Sequence, residues 1–323
     1  MTHYDVFNGD ADGILSLVQL RKAEPKESVL ISGVKRDINL LKQVPIDGSP
    51  KSITVLDISM EKNSEALLSQ LDTGSEVFYV DHHRSGTIPI SEQLQSIINL
   101  DPNVCTAVLV DEFLNGTQRL WAITAAYGDN MIGTADKLAK IESLSLNQSE
   151  QLKEFGILVN YNGYGESIDD LTISPSALFV ELMQYDTPFE CIADNGSIFH
   201  TLQKAYKQDM QSAQSAKIIS DTELVYALEL EDAAWARRIS GVYGNQLANE
   251  NKDKAILVLT KNADETLRVS LRAPINNKQG AGDICAKFAT GGGRAAAAGI
   301  NHLPNEDLNK LIETVTDYYK SEL

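Results

Sequence analysis

Val80-Asp81-His82-His83-Arg84-Ser85-Gly86 places an acid and two adjacent imidazoles at the end of the apolar run Val77-Phe78-Tyr79-Val80. Consecutive side chains leaving a strand tip diverge, so the two histidines are suited to different jobs. A neutral imidazole binds a divalent metal through one nitrogen while a carboxylate on the other nitrogen fixes its tautomer, and Asp81 is placed to do that. One histidine then reads as a ligand and the other as facing substrate. The tripeptide alone also suits a polar turn with surface histidines, so the surrounding chain has to decide.

Upstream, residues 3–7 read as a short buried strand, and Asn8-Gly9-Asp10-Ala11-Asp12-Gly13 turns into a helix over 14–22. Further strands are expected at 28–32, 53–57, 76–80 and 96–100, with a helix over 60–71. Strands alternating with helices predict an α/β fold with a doubly wound, mainly parallel sheet. In such sheets ligands bind outside the carboxyl ends of the strands, and Asp10/Asp12, Asp57 and Asp81 each follow a strand directly. They are expected to converge.

Helical spacing continues downstream over 107–114, 120–127, 132–143 and 150–161, with Asp129 just after the second of these. The glycine- and tyrosine-rich stretch 160–166 reads either as a structural turn or as a lid. A polar-faced helix over 197–220 reads as a connector. Strands at 223–228, 255–259 and 267–271 and helices at 234–247, 283–289 and 306–319 then predict a smaller mixed α/β domain. The expected division is 1–195, a connector helix over 196–221, and 222–323.

A chain of 323 residues with 43% apolar composition has enough material for two cores. A net charge of −17 disfavours long nucleic acid, since phosphate neutralisation supplies most non-specific affinity; a small phosphorylated nucleotide is the expected partner. No apolar run reaches membrane-spanning length and no signal peptide is evident, so a cytoplasmic protein without a membrane partner is expected. Cys105, Cys191 and Cys285 are widely spaced and read as reduced packing residues. Neither a P-loop nor a Gly-x-Gly-x-x-Gly turn is present, which removes the main support for nucleotide triphosphatase and dinucleotide-cofactor chemistry. Oligomeric state is not readable, and a homodimer stays open.

Asp10 and Asp12, two residues apart in a glycine-bracketed loop, would repel unless a cation neutralises them. With Asp57, Asp81, His82 and Asp129, the set offers ligands enough for two metals about 3.5–4 Å apart. Mixed carboxylate and imidazole ligation suits Mn2+, with Mg2+ or Zn2+ as alternatives.

These motifs resemble the DHH phosphoesterase superfamily, named for the triplet that stands here as Asp81-His82-His83. Asn8-Gly9-Asp10-Ala11-Asp12-Gly13 is similar to its first motif, Leu56-Asp57-Ile58-Ser59 to the second, and Gly128-Asp129-Asn130 to the fourth. The resemblance implies two metals, usually manganese, with Asp57 bridging, Asp10, Asp12, His82 and Asp129 as terminal ligands, and Asp81 orienting or supplementing His82. Ser270-Leu271-Arg272 and Gly291-Gly292-Gly293-Arg294 resemble the substrate-binding strand and glycine loop of the DHH-associated domain found in nanoRNase, RecJ and cyclic-dinucleotide phosphodiesterase branches. By that likeness Arg84, Ser270, Arg272, Gly291, Gly292, Gly293 and Arg294 bind substrate, and His83 with Asp81 is catalytic. Two departures stand out. Asn8 takes the place of a metal-binding histidine, which puts binuclearity in question, and Arg294 takes the place of another histidine, which favours an anionic terminal phosphate. The reading is a metal-dependent phosphodiesterase of short linear oligonucleotides such as pGpG, with domain closure setting length preference. A pAp-type 3′-phosphonucleotide phosphatase or pyrophosphatase-like enzyme is the alternative within the same chemistry, and a catalytically inactive nucleotide-binding protein the alternative outside it.

Overall fold

The computed structural model describes residues 1–320. They fall into two compact units with a boundary after Ala205. In the first, β1 (His3–Phe7), α1 (Ala11–Ala23), β2 (Val29–Ser32), β3 (Ser52–Leu56), α2 (Ser64–Asp72), β4 (Glu76–Asp81) and β5 (Leu94–Ile98) form the alternating part. The sheet order is β2-β1-β3-β4-β5 and every pairing is parallel. Because β2 lies on one side of β1 and β3 on the other, the winding reverses between β1 and β3, and the carboxyl ends of the strands open a crevice there.

The central strands are apolar on both faces, as a parallel sheet covered by helices requires. Val6, Ile53, Val55, Val77 and Tyr79 pack with Leu67 of α2, while Phe7, Leu56 and Val80 are buried without joining that cluster. Asp5 is the polar exception: its carboxylate accepts from Arg21 Nε at 2.9 Å and Nη2 at 2.6 Å, and from Ser28 Oγ at 2.6 Å. Burial alone would raise this carboxyl, but the Arg21 and His3 contacts hold it down at about 2.

The helical part comprises α3 (Thr106–Phe113), α4 (Arg119–Gly128), α5 (Ile132–Ile141), α6 (Leu146–Asn162), α7 (Pro175–Leu182), α8 (Pro188–Ala193) and α9 (Ile198–Ala213). Several boundaries differ from the periodicity reading. The Ser145–Gln148 capping box starts α6 ahead of residue 150. Helices α7 and α8 begin with prolines behind Ser174 and Thr187 caps, a start signal that the short apolar runs obscure. A single 3-10 turn precedes α2, and β5 lies two residues upstream of the expected strand.

The polar helix expected to reach residue 220 stops at Ala213, and β6 (Lys217–Asp221) follows, with Ile218 and Ile219 suited to a strand. Then come β7 (Val225–Leu230), α10 (Ala234–Glu250), β8 (Ala255–Lys261), β9 (Leu267–Arg272), α11 (Ala281–Cys285), β10 (Gly291–Gly293), β11 (Ala297–Leu303) and α12 (Leu308–Lys320). The order is β10-β11-β9-β8-β7-β6. Only β7 and β8 pair in parallel, with α10 as their crossover. Leu257, Leu259, Val269, Leu271 and Ile300 pack with Leu311, Val315 and Tyr319 of α12 in this unit's core. All three cysteines are buried and none is in a disulfide. Among the described residues no helix is long and apolar enough to cross a membrane.

Candidate active site

The crevice collects the acids expected there. Asp10 follows β1 and caps α1, accepting from Gly13 N at 3.1 Å. Asp57 follows β3, Asp81 ends β4, and Asp129 is the C-cap of α4. Two glycines make this possible. A Cβ at Gly9 would overlap the Gly33 carbonyl oxygen, and one at Gly128 would press on Ala11 and the Gly156 carbonyl, so the first loop, the end of β2 and the α4–α6 crossing close up only without side chains.

Asp12 is buried and spends both oxygens on α3, accepting from Thr106 N and Ala107 N at 2.8 Å each. Residue 105, the N-cap of α3, makes no side-chain cap, so Asp12 supplies it from another helix. That anchors its carboxylate beside His82, whose Nε2 lies 3.7 Å from Asp12 Oδ2 and 3.4 Å from Asp57 Oδ1. His82 Nδ1 donates to the Val104 carbonyl at 2.8 Å. A carbonyl only accepts, so Nδ1 carries a proton and Nε2 is the nitrogen turned toward the carboxylates, the one a metal ligand would use.

Asp81 differs from expectation. It serves His83, whose Nδ1 donates to Asp81 Oδ1 at 2.7 Å, and the Val104 carbonyl takes the orienting role toward His82. The chain bends directly after β4, at His82 and His83, and that bend brings the His83 ring back onto Asp81. The two rings meet edge to face at 4.5 Å, and the His83 side chain is 31% exposed where His82 is 3%.

Asp57 has a left-handed backbone, φ 59°, a conformation that costs a non-glycine residue about 1 kcal/mol or more and that Asp accepts more readily than most. The turn aims its carboxylate at Thr106 Oγ1, which donates at 3.1 Å, and at the two imidazoles. Burial, then the charges of Asp12, Asp10, Asp81 and Asp129, pushes its carboxyl well above the ordinary carboxylate range.

Lys35, in the loop after β2, is a site residue that sequence reasoning misses. Its Nζ donates to Asp10 Oδ2 at 2.5 Å and to Asn160 Oδ1 at 3.1 Å, lies 3.5 Å from Asp129 Oδ1, and sits over the Tyr164 ring. Burial by itself would raise Asp10, but Lys35 holds that carboxyl below its usual value; burial would lower Lys35, and Asp10, Tyr164 and Asp129 together outweigh it and hold the ammonium protonated. Asn8 braces this arrangement, accepting from Asp10 N at 3.2 Å and donating to Lys35 O at 3.2 Å. Thr106 is the other missed contact, arriving from the start of α3.

Among the described residues Asp57, His82 and His83 present ligand atoms within 4.8 Å of one another. Asp81 Oδ2 is buried with no hydrogen-bond partner, an orphan acceptor of the kind a cation or an ordered water satisfies. Cys105 lies close by, but burial and then the Asp12 and Asp129 charges push its thiol well up, so it stays protonated and the donors are oxygen and nitrogen. These residues fit a divalent ion. Arg84 is exposed, with its carbonyl accepting from Ser59 Oγ.

In the second unit Ser270, Arg272, the triple glycine and Arg294 gather on β9, β10 and the turn into β11. Arg272 is buried; its Nε donates to Asn245 Oδ1 at 2.5 Å, and its two terminal nitrogens donate to Ser270 Oγ and the Gly241 carbonyl. The fork expected to clamp phosphate is engaged inside the unit. Gly291–Gly293 form an edge strand against β11 rather than a loop, and Arg294 stands exposed just beyond it. A family model described as the DHHA1 domain matches residues 221–321, from β6 through α12. Residues 221–321 thus carry a DHHA1 domain, and Asp81-His82-His83 stands at the end of β4 in the other unit.

Solved structures share this fold at low identity. An exopolyphosphatase-related protein from Bacteroides fragilis is 14% identical, with 99% of this chain and 93% of that chain covered and a TM-score of 0.52. RecJ in complex with Mn2+ from Thermus thermophilus is 15% identical at TM-score 0.61, with 99% of this chain and 52% of that chain covered, so this chain spans about half its length. The pGpG-specific phosphodiesterase PggH from Vibrio cholerae is 15% identical at TM-score 0.52, with 99% of each chain covered. No curated protein matches at the sequence level.

Proposed function

We propose that this chain is a metal-dependent phosphodiesterase that hydrolyses short linear oligonucleotides, foremost dinucleotides such as pGpG, to mononucleotides. The observation that carries the reading is the division between adjacent imidazoles: His82 is buried with Nε2 turned to two carboxylates, and His83 is half-exposed and backed by Asp81. A divalent ion, Mn2+ best suited to the donor set and Mg2+ or Zn2+ next, supplies Lewis acidity and a water acidic enough to react near neutral pH. Asp57 and His82 hold it, and Asp12 is braced beside them by the α3 amides. His83 delivers a proton through Nε2 to the oxygen that leaves phosphorus, and Asp81 stabilises the ring while it is doubly protonated. Arg294 and the glycines of β10 are read as receiving a terminal phosphate.

The RecJ and PggH likenesses support phosphodiester chemistry, and a net charge of −17 supports a small substrate over a long strand. Manganese-dependent turnover of pGpG, pApA, pAp, cyclic dinucleotides, pyrophosphate and a ten-nucleotide strand tests the proposal. The linear dinucleotides are expected to turn over fastest. Preference for pAp would make the enzyme a 3′-phosphonucleotide phosphatase. Equal rates on a dinucleotide and the longer strand would mean an open groove, and binding without turnover would leave a nucleotide-binding protein.

A further inference from the structure

We infer that Lys35 is the second cation of this centre, so that the site takes one divalent ion, at Asp57 and His82, while the protein's own ammonium serves Asp10 and Asp129. The inference rests on the metal-dependent reading above and adds a count to it.

The acids of the crevice divide into two groups by what they face. Asp12, Asp57 and Asp81 face imidazoles, the Cys105 thiol and the amide and hydroxyl groups that open α3. Asp10 and Asp129 face Lys35. An ammonium has three hydrogens, and Lys35 Nζ has three oxygens around it, from Asp10 at 2.5 Å, Asn160 at 3.1 Å and Asp129 at 3.5 Å. Those oxygens come from the first loop, from α6 and from the end of α4, and the Tyr164 ring lies 5.4 Å below the charge. A hard cation would be offered much the same carboxylate and amide oxygens. An ammonium already seated among them repels a divalent ion seeking the same carboxylates.

Lys35 is also fixed from its backbone. Its N–H donates to the Gly163 carbonyl at 2.8 Å, and its own carbonyl accepts from Asn8 Nδ2. Asn8 uses the other end of its amide on Asp10 N, so one side chain holds lysine and carboxylate in register. A surface lysine that swung into a charge cluster by chance would lack these two backbone ties.

Equilibrium dialysis of the full chain against Mn2+ with metal analysis, read together with the manganese electron paramagnetic resonance spectrum, tests this without any substrate. The wild type is expected to bind one ion per chain and to show the hyperfine pattern of an isolated ion. Lys35→Met, with its fold checked by circular dichroism, is expected to bind two and to lose that pattern through coupling between neighbouring ions. Two ions in the wild type, or a folded Lys35→Met that still binds one, would overturn the inference and leave the phosphodiesterase reading standing. If Lys35→Met does not fold, the wild-type count alone decides. A wild type that binds no ion would overturn the metal-dependent reading itself.

Discussion

Asp57→Asn is expected to stabilise the protein in the absence of metal and to abolish metal binding and turnover, two effects of opposite sign from one charge. Asp57 is 1% exposed, and its carboxyl is raised first by burial and then by Asp12, Asp10, Asp81 and Asp129. A carboxyl raised in the folded state takes up a proton on folding. Its contribution is therefore fully present below the unfolded value, near 3.8, and is lost as pH climbs through the folded one. Burying a charged group without full compensation costs about 1–3 kcal/mol or more, and at neutral pH Asp57 carries a cost of that order. Asparagine keeps an Oδ1 for Thr106 Oγ1 and accepts the φ of 59° at least as readily.

A gain of about 1–3 kcal/mol raises the melting temperature of a unit this size by about 2–12 °C. The assay is thermal melting by circular dichroism in chelator at two pH values on either side of neutrality. The advantage of Asp57→Asn should widen at the higher pH, and saturating Mn2+ should reverse the order, because only the wild type gains from ligand linkage. If the variant melts lower than wild type in chelator at both pH values, the carboxylate is already satisfied by its neighbours, and the argument from crowded charge fails.

The two histidines should fail differently. His82→Ala should lose manganese, with part of the rate restored by excess metal. Asp81→Asn, which removes the carboxylate behind His83, should keep most of its manganese and lose about 10²–10⁴-fold in kcat; metal analysis beside steady-state kinetics separates the two. Arg21→Met strips the buried Asp5 of its fork and should cost about 3–5 kcal/mol in urea unfolding. Because the wild-type Asp5 carboxyl is lowered to about 2, its contribution is present above 3.8 and is lost as pH falls through about 2; the variant should show little of that acid-limb slope.

Strand-end position is what makes most of the site readable from sequence. A parallel strand buried on both faces does not tolerate an unpaired charge, so an acid directly after an apolar run marks the edge where the backbone leaves the core. Asp10, Asp57 and Asp81 obey that rule, and the crevice holds all three. Asp5 breaks the pattern inside β1, and Arg21 from α1 is the compensation that the rule requires. The role of Asp81 is a finer matter. Its distance to His82 in sequence is shorter than to His83, but the bend that follows β4 returns the farther residue to it, and no local pattern announces that bend.

Lys35 satisfies the same rule, since it follows β2 with only Gly33 and Val34 between, yet nothing local sets it apart. A lysine after a short edge strand is the commonest kind of solvated residue, and its partners are 25 residues away at Asp10 and 125 away at Asn160. Charge compensation is a property of the assembled crevice. Repulsion between Asp10 and Asp12 shows in the sequence that a cation must be present, but whether that cation is a metal or a side chain depends on which loop the sheet order brings alongside. With β2 on the outer side of β1, that loop carries Lys35, and Gly9 lets it approach. The glycine run of the second unit is opaque for a related reason. Gly291–Gly293 have no intrinsic preference for extended structure, and the pairing with β11 that makes them an edge strand comes from residues outside any local window. A run of three glycines so paired turns part of its backbone toward a neighbour instead of toward an anion, which leaves the exposed Arg294, more than the glycine amides, as the group the proposed phosphate contact depends on.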